Sequence, residues 1–180
     1  MQLQVPLRIY SSDGSLMGEF GEKRRSPKKL DEIPERMRQA FLSAEDDRFF
    51  EHPGVDYQGI MRAAFHLVVT GRRGQGGSTI TMQLARNFYL SSEKTYLRKL
   101  NEILLALKIE RELDKERILE LYLNVAEFGD GIYGAEAAAQ SIFGVPAESL
   151  STHQSALLAA RLPAPKSYTI QPPSDYMEQR

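Results

Sequence analysis

From Ile33 to Pro163 the apolar residues recur at three- and four-residue intervals, and this repeat constrains the fold more than any other feature. Met37, Ala40, Phe41 and Ala44 stand at i, i+3, i+4 and i+7, one stripe of a helix whose first turn suits Pro34. The same period predicts a helix over Asp56–Thr70, stopped by Gly71. A third follows the glycine-rich "GQGGST" and is capped by Ser78 or Thr79. A long helix is expected over Ser92–Leu113, another over Asp114–Phe128, and a sixth through "YGAEAAAQSIF", ending at Gly144. Ser151 and Gln154 fit a capping box, opening a last helix that must end near Pro163. Ahead of all this, "LRIYSSDGSLMGEF" alternates around Asp13-Gly14, which predicts a hairpin with a two-residue turn. The expected fold class is mainly α with a small N-terminal β-hairpin. Residues 1–30 form the hairpin and a basic connector, and residues 31–180 form the helical domain.

Composition narrows the function. A chain of 180 residues can bury a sizeable core. A formal net charge of -1 argues against a nucleic-acid partner, which would usually meet a basic face. No cysteine is present, so disulfides and thiolate metal sites are excluded. The histidines, His52, His66 and His153, show no metal-ligand spacing. "MQLQVPLRIY" lacks a basic segment followed by an apolar one, and no apolar run is long enough to span a bilayer. The chain is not expected to cross a membrane by itself.

Three constellations could carry chemistry. "AFLSAEDDRFFEHPG" crowds charges onto the end of an apolar helix, and Glu45, four residues after Phe41, continues its apolar edge. A carboxylate there suits an acid or base; an exposed acidic helix end would read the same way. "GQGGST" could cradle an anion at a helix start, although glycine-rich loops before helices are common. Lys94, Arg98 and Glu102 share one helix stripe at i, i+4 and i+8, with Lys99 at i+3 from Glu102. Cations around one carboxylate suit a phosphate-bearing ligand, and a salt-bridged, solvated face fits equally. Leu97, Leu100, Leu104 and Leu107 occupy the opposite side.

In order, these stretches resemble the motifs of the peptidoglycan glycosyltransferases, the glycan-polymerising domains of class A penicillin-binding proteins and of monofunctional transglycosylases. "EDDRFFEHPG" supplies Glu45, Asp46, Phe49, His52 and Gly54 of the first motif, and "GGSTITMQ" the second. Arg98, Lys99 and Glu102 match the third, "KERILELYLN" the fourth, and "AAAQSIFGV" part of the fifth. The resemblance spans about Ile33 to Leu162.

The resemblance implies a lysozyme-like helical fold with a head and a membrane-dipping jaw at about residues 55–75. It implies lipid II as substrate, a disaccharide-pentapeptide on a polyprenyl pyrophosphate. The 4-hydroxyl of one molecule attacks the anomeric carbon of the growing strand, with inversion. It makes Glu45 and Glu102 the catalytic carboxylates and Arg86, Lys94, Arg98, Lys99, Ser78, Thr79 and Gln83 the substrate-binding residues. Asp46, His52, Glu120 and Asn124 support the cleft. No cofactor is required, with a divalent cation, Mg or Mn, as an option at Glu102. The implied partners are lipid II, the growing glycan strand, the membrane surface and a fused or associated transpeptidase. The implied location is the outer face of the bacterial cytoplasmic membrane, the transmembrane anchor being absent from this chain.

Three departures stand out. Met82 replaces a glutamine of the second motif, removing a potential polar contact to substrate. Ile142 and Val145 replace the usual tyrosine and lysine of the fifth. The sequence up to Asn124 is closer to the bifunctional proteins, whereas "NVAEFGDGIYGAEAAAQ" is closer to the monofunctional ones.

Overall fold

The computed structural model describes residues 6–20, 24–71, 77–90 and 95–166. Lys94, Arg72, Arg73 and the proline-containing tail beyond residue 166 lie outside them. The described residues form α1 (Glu35–Glu45), α2 (Tyr57–Thr70), α3 (Ile80–Tyr89), α4 (Tyr96–Glu112), α5 (Lys115–Val125), α6 (Ala135–Phe143) and α7 (Thr152–Arg161). Five short strands accompany them: β1 (Leu7–Tyr10), β2 (Leu16–Phe20), β3 (Arg24–Arg25), β4 (Glu127–Gly129) and β5 (Ile132–Tyr133). The fold is mainly helical, as the periodicity requires. Two compact units divide it, one of residues 1–38 and 123–180, the other of residues 39–122.

In the first unit β1 and β2 pair antiparallel as expected, but the turn is wider than two residues. The Ser11 N–H donates to Ser15 O at 2.9 Å, the Gly14 N–H returns to Ser11 O at 3.0 Å, and Gly14 takes a φ of 85°. Such a left-handed residue after a turn makes a three-residue hairpin loop. A second sheet was not anticipated. β5 pairs antiparallel with β4 and parallel with β3. Helix α5 therefore ends at Val125 rather than Phe128, which is buried in β4. The glycines that follow explain this: Gly131 and Gly134 hold positive φ and bend the chain back. Asn124 fixes the connector, accepting from the Lys28 N–H and donating to Lys28 O, both at 2.8 Å. Gly144 ends α6 in the left-handed conformation, and the Ser151–Gln154 capping box opens α7. Ile142 and Val145 are half-buried in this unit.

The second unit carries most of the singled-out residues. Phe41, Phe49, Ile80, Met82, Leu84, Ala106, Ile118, Leu119 and Tyr122 are buried there. Met82 packs with Val55 and Ala106, flanked by Ile103 and Leu107. Its side chain faces this core and not the cavity lined by Glu45, so the departure from glutamine there is met by apolar packing. Thioether packing suits such an interior position.

Candidate functional site

Of the charges at the end of α1, Asp46 and His52 are used inward. Asp46 Oδ2 accepts from the Ile80 N–H at 2.9 Å, and its Oδ1 lies 2.9 Å from His52 Nε2. The Gly54 N–H donates to His52 Nδ1 at 3.2 Å, so the proton of this imidazole sits on Nε2 and is given to Asp46. Thr79 Oγ1 donates to Gly54 O at 2.6 Å and caps α3 by accepting from the Met82 N–H at 3.2 Å. All five side-chain links are buried, and they stitch "EDDRFFEHPG" to "STIT". Gly54 is needed where it stands. Its φ is 89°, and a Cβ would fall 2.8 Å from Glu110 Cγ and 3.2 Å from Ala106 O.

The two phenylalanines divide the work. Phe49 is buried, with the Lys115 ammonium 4.3 Å from its ring centre, whereas Phe50 is exposed. Lys115 also reaches Glu110 Oε1 at 2.8 Å, where Thr81 Oγ1 donates as well, at 2.5 Å. Helices α3, α4 and α5 are thereby tied behind the first motif.

Glu45 stands clear of that latch. It is half-buried and accepts from Gln83 Nε2 at 2.9 Å. It lines a cavity of about 520 Å³ together with Ser78 and Thr79 on one side and Arg62, Phe65 and His66 of α2 on the other. Behind Ser78 lie the cations. Lys99 Nζ donates to Ser78 Oγ at 2.7 Å and to Glu102 Oε2 at 2.9 Å, and Arg98 donates to Glu102 Oε1. Glu102 is only 1% exposed. Around Glu102, therefore, this stripe is salt-bridged but not a solvated face.

Helix α4 is instead inverted. Its carboxylate is inside, and Leu97, Leu100 and Leu104 are each more than half exposed. Arg86 is exposed on α3, three residues past Gln83. Glu120 pairs with Arg117. Among the described residues no group of three or more acids and histidines could hold a metal ion. Glu102, where a divalent cation was an option, already accepts from two cations.

Asp56 and His66 were missed in the sequence. Asp56 is buried before α2, and Arg48 lies 3.2 Å from it and Arg62 3.7 Å. Burial pushes its carboxyl up, but the Gly59 N–H with Arg48 and Arg62 outweighs burial and holds it below the ordinary value. A Cβ on Gly59 would come within 2.3 Å of Asp56 Oδ2, which is why glycine follows in this turn. The available signal was an aspartate immediately before an apolar-periodic run, a helix-start pattern.

The transglycosylase family profile matches residues 13–180. Over 168 residues the chain is 51% identical to penicillin-binding protein 1A of Pseudomonas aeruginosa and 49% identical to that of Escherichia coli K12. It is 50% identical over 166 residues to penicillin-binding protein 1A of Haemophilus influenzae. These alignments cover 92 to 93% of this chain and 20% of each relative, so the chain spans about a fifth of their length.

Proposed function

This chain belongs to the transglycosylase family, as a glycosyltransferase domain of the class A penicillin-binding protein kind, and we propose that it polymerises lipid II into β-1,4-linked glycan. One observation carries the reading. The cavity wall that holds the Glu45 carboxylate also holds Ser78, and the Ser78 hydroxyl is bonded to the Lys99 ammonium. A proton acceptor and a cation thus serve one space.

The chemistry balances on these groups. Glu45 takes the proton of the attacking 4-hydroxyl. The oxygen forms its bond to the anomeric carbon, and the bond from that carbon to the pyrophosphate oxygen breaks with its electron pair. The growing negative charge on the leaving group needs fixed positive charge. Lys99 and Arg98, held by buried Glu102, supply it, with Arg86 and Lys94 as further cations of this role. Attack opposite the leaving group turns an α-linked pyrophosphate into a β-linkage.

The lipid-linked substrate also explains α2. Val68 is 84% exposed and Phe65 71%, with Met61 and Val69 also exposed; Phe65 and Val69 border the cavity as well, beside Arg62 and His66. An apolar surface of this kind suits the headgroup boundary of a bilayer. Among the described residues no helix is long and apolar enough to cross one. The reading places the protein at the outer face of the cytoplasmic membrane, alongside a fused or associated transpeptidase.

Incubation with lipid II tests the proposal. Polymer with released polyprenyl pyrophosphate is the expected product. Cleavage of finished glycan, or no turnover by an intact, lipid-supplied protein, overturns it.

A further inference from the structure

Glu45 is held through a chain of side chains that reaches the opposite helix. Gln83 Nε2 donates to Glu45 Oε2 at 2.9 Å, and the other end of the same amide, Oε1, accepts from the Tyr122 hydroxyl at 3.3 Å. The three residues come from α1, α3 and α5, all within the unit of residues 39–122. Tyr122 is 1% exposed and stands in a helix that also buries Ile118 and Leu119. A phenylalanine would fill such an apolar position at less cost, because a buried hydroxyl must be bonded.

Chemistry fixes the direction of the line. An ionised carboxylate only accepts, so the amino end of the glutamine is the end that can bond it. The carbonyl end then faces away and needs a donor, which the phenol supplies. Turning the amide over would set its carbonyl against the carboxylate, two acceptors in contact. It would also replace the acceptor facing Tyr122 with an amino group.

We propose that Tyr122 is a positioning residue for glycosyl transfer: its hydroxyl holds Gln83 in the one orientation that donates to Glu45 and so aims the carboxylate at the acceptor hydroxyl. This rests on Glu45 being the base. Tyr122 is itself buried and acts on Glu45 through Gln83.

Tyr122→Phe keeps the ring and removes the donor. It is expected to lower kcat for lipid II polymerisation about tenfold, the scale of one neutral hydrogen bond, with KM within about twofold because uniform binding is untouched. Gln83→Met lowers kcat further, and adding Tyr122→Phe to it costs nothing more, because the tyrosine then has no amide to orient. Losses that multiply in the double variant, or a change in KM alone, overturn the proposal. Should Tyr122→Phe fail to fold, nuclear magnetic resonance of the parent decides. Two resolved, slowly exchanging Gln83 amide protons with contacts to Glu45 support it, and contacts from those protons to the Tyr122 ring instead overturn it. Glu45→Gln separates the two readings. If that variant stays active the base assignment fails; if it is inactive and the double variant is multiplicative, only the role of Tyr122 fails.

Discussion

Lys99 Nζ lies 2.9 Å from Glu102 Oε2, and the carboxylate is almost wholly buried while the lysine is half exposed. An interior carboxylate here aims an exterior cation. Glu102→Gln keeps the shape but releases both Lys99 and Arg98. Breaking a buried pair from one side costs about 3 kcal/mol, so urea unfolding should show a loss of that order. Turnover should fall together with affinity for a phosphoglycolipid such as moenomycin. Unchanged inhibitor binding in a folded variant would remove the cations from the pyrophosphate role.

Glu45→Gln is expected to abolish polymerisation and leave helix content intact. The half-buried side chain keeps its size, and Gln83 can still find a carbonyl oxygen to donate to. Loss of a general base typically costs about 10²–10⁴-fold. Single-turnover assays with lipid II measure it, and near-parental turnover would exclude Glu45 from the chemistry.

Asp56 gives a pH signature. Its folded value is held below the ordinary 3.8, chiefly because the Gly59 N–H and Arg48 overcome its burial. A depressed carboxyl contributes stability that is fully present above its unfolded value and is lost as pH falls through the folded one. The parent should therefore lose this contribution only below about pH 4, the unfolded aspartate value. Asp56→Asn should lower the melting temperature at pH 7, and the gap to the parent should narrow as the pH drops through that window. A gap constant with pH would mean that Asp56 acts by shape alone.

The exposed face of α2 predicts lipid binding. Phe65→Glu with Val68→Glu should reduce co-sedimentation with anionic liposomes several-fold, since each buried apolar side chain contributes about 1.5–3 kcal/mol. Helix content should be unchanged, because neither residue is buried in the protein. Equal partitioning of a folded variant would return α2 to an ordinary surface.

Most of the helical fold was legible because period, caps and glycines agree at each end. Thr79, Ser151 and Gly144 stand at the termini that their residue types announce. The signal for β4–β5 was present in Asp130-Gly131, the same dipeptide as in the first hairpin, but the apolar run of the preceding helix masks it, and the positive φ of Gly131 and Gly134 turns the chain aside. The site was legible as motifs and only half so as geometry. Spacing put Arg98 and Glu102 on one stripe, but could not say that the stripe faces inward. That depends on Ser78, which comes from another helix's start and receives Lys99. Met82 shows the same limit from the other side, because its direction follows from how α3 packs on Ala106 rather than from any residue near it.

The inversion of α4 has a mechanical consequence. Its first two turns carry the cations and show leucines to the outside, so the apolar anchorage of this helix lies further along, where Ile103, Ala106 and Leu107 meet Val55 and Met82. Lys99 sits seven residues before Ala106, about 10 Å at the helical rise of 1.5 Å per residue. The ammonium is thus carried two turns away from that clamp, steadied at its own end by Ser78 and Glu102. A tilt at the clamp is carried to the tip against these two bonds, so the volume of the residue at position 106 bears on the aim of a charge it never touches.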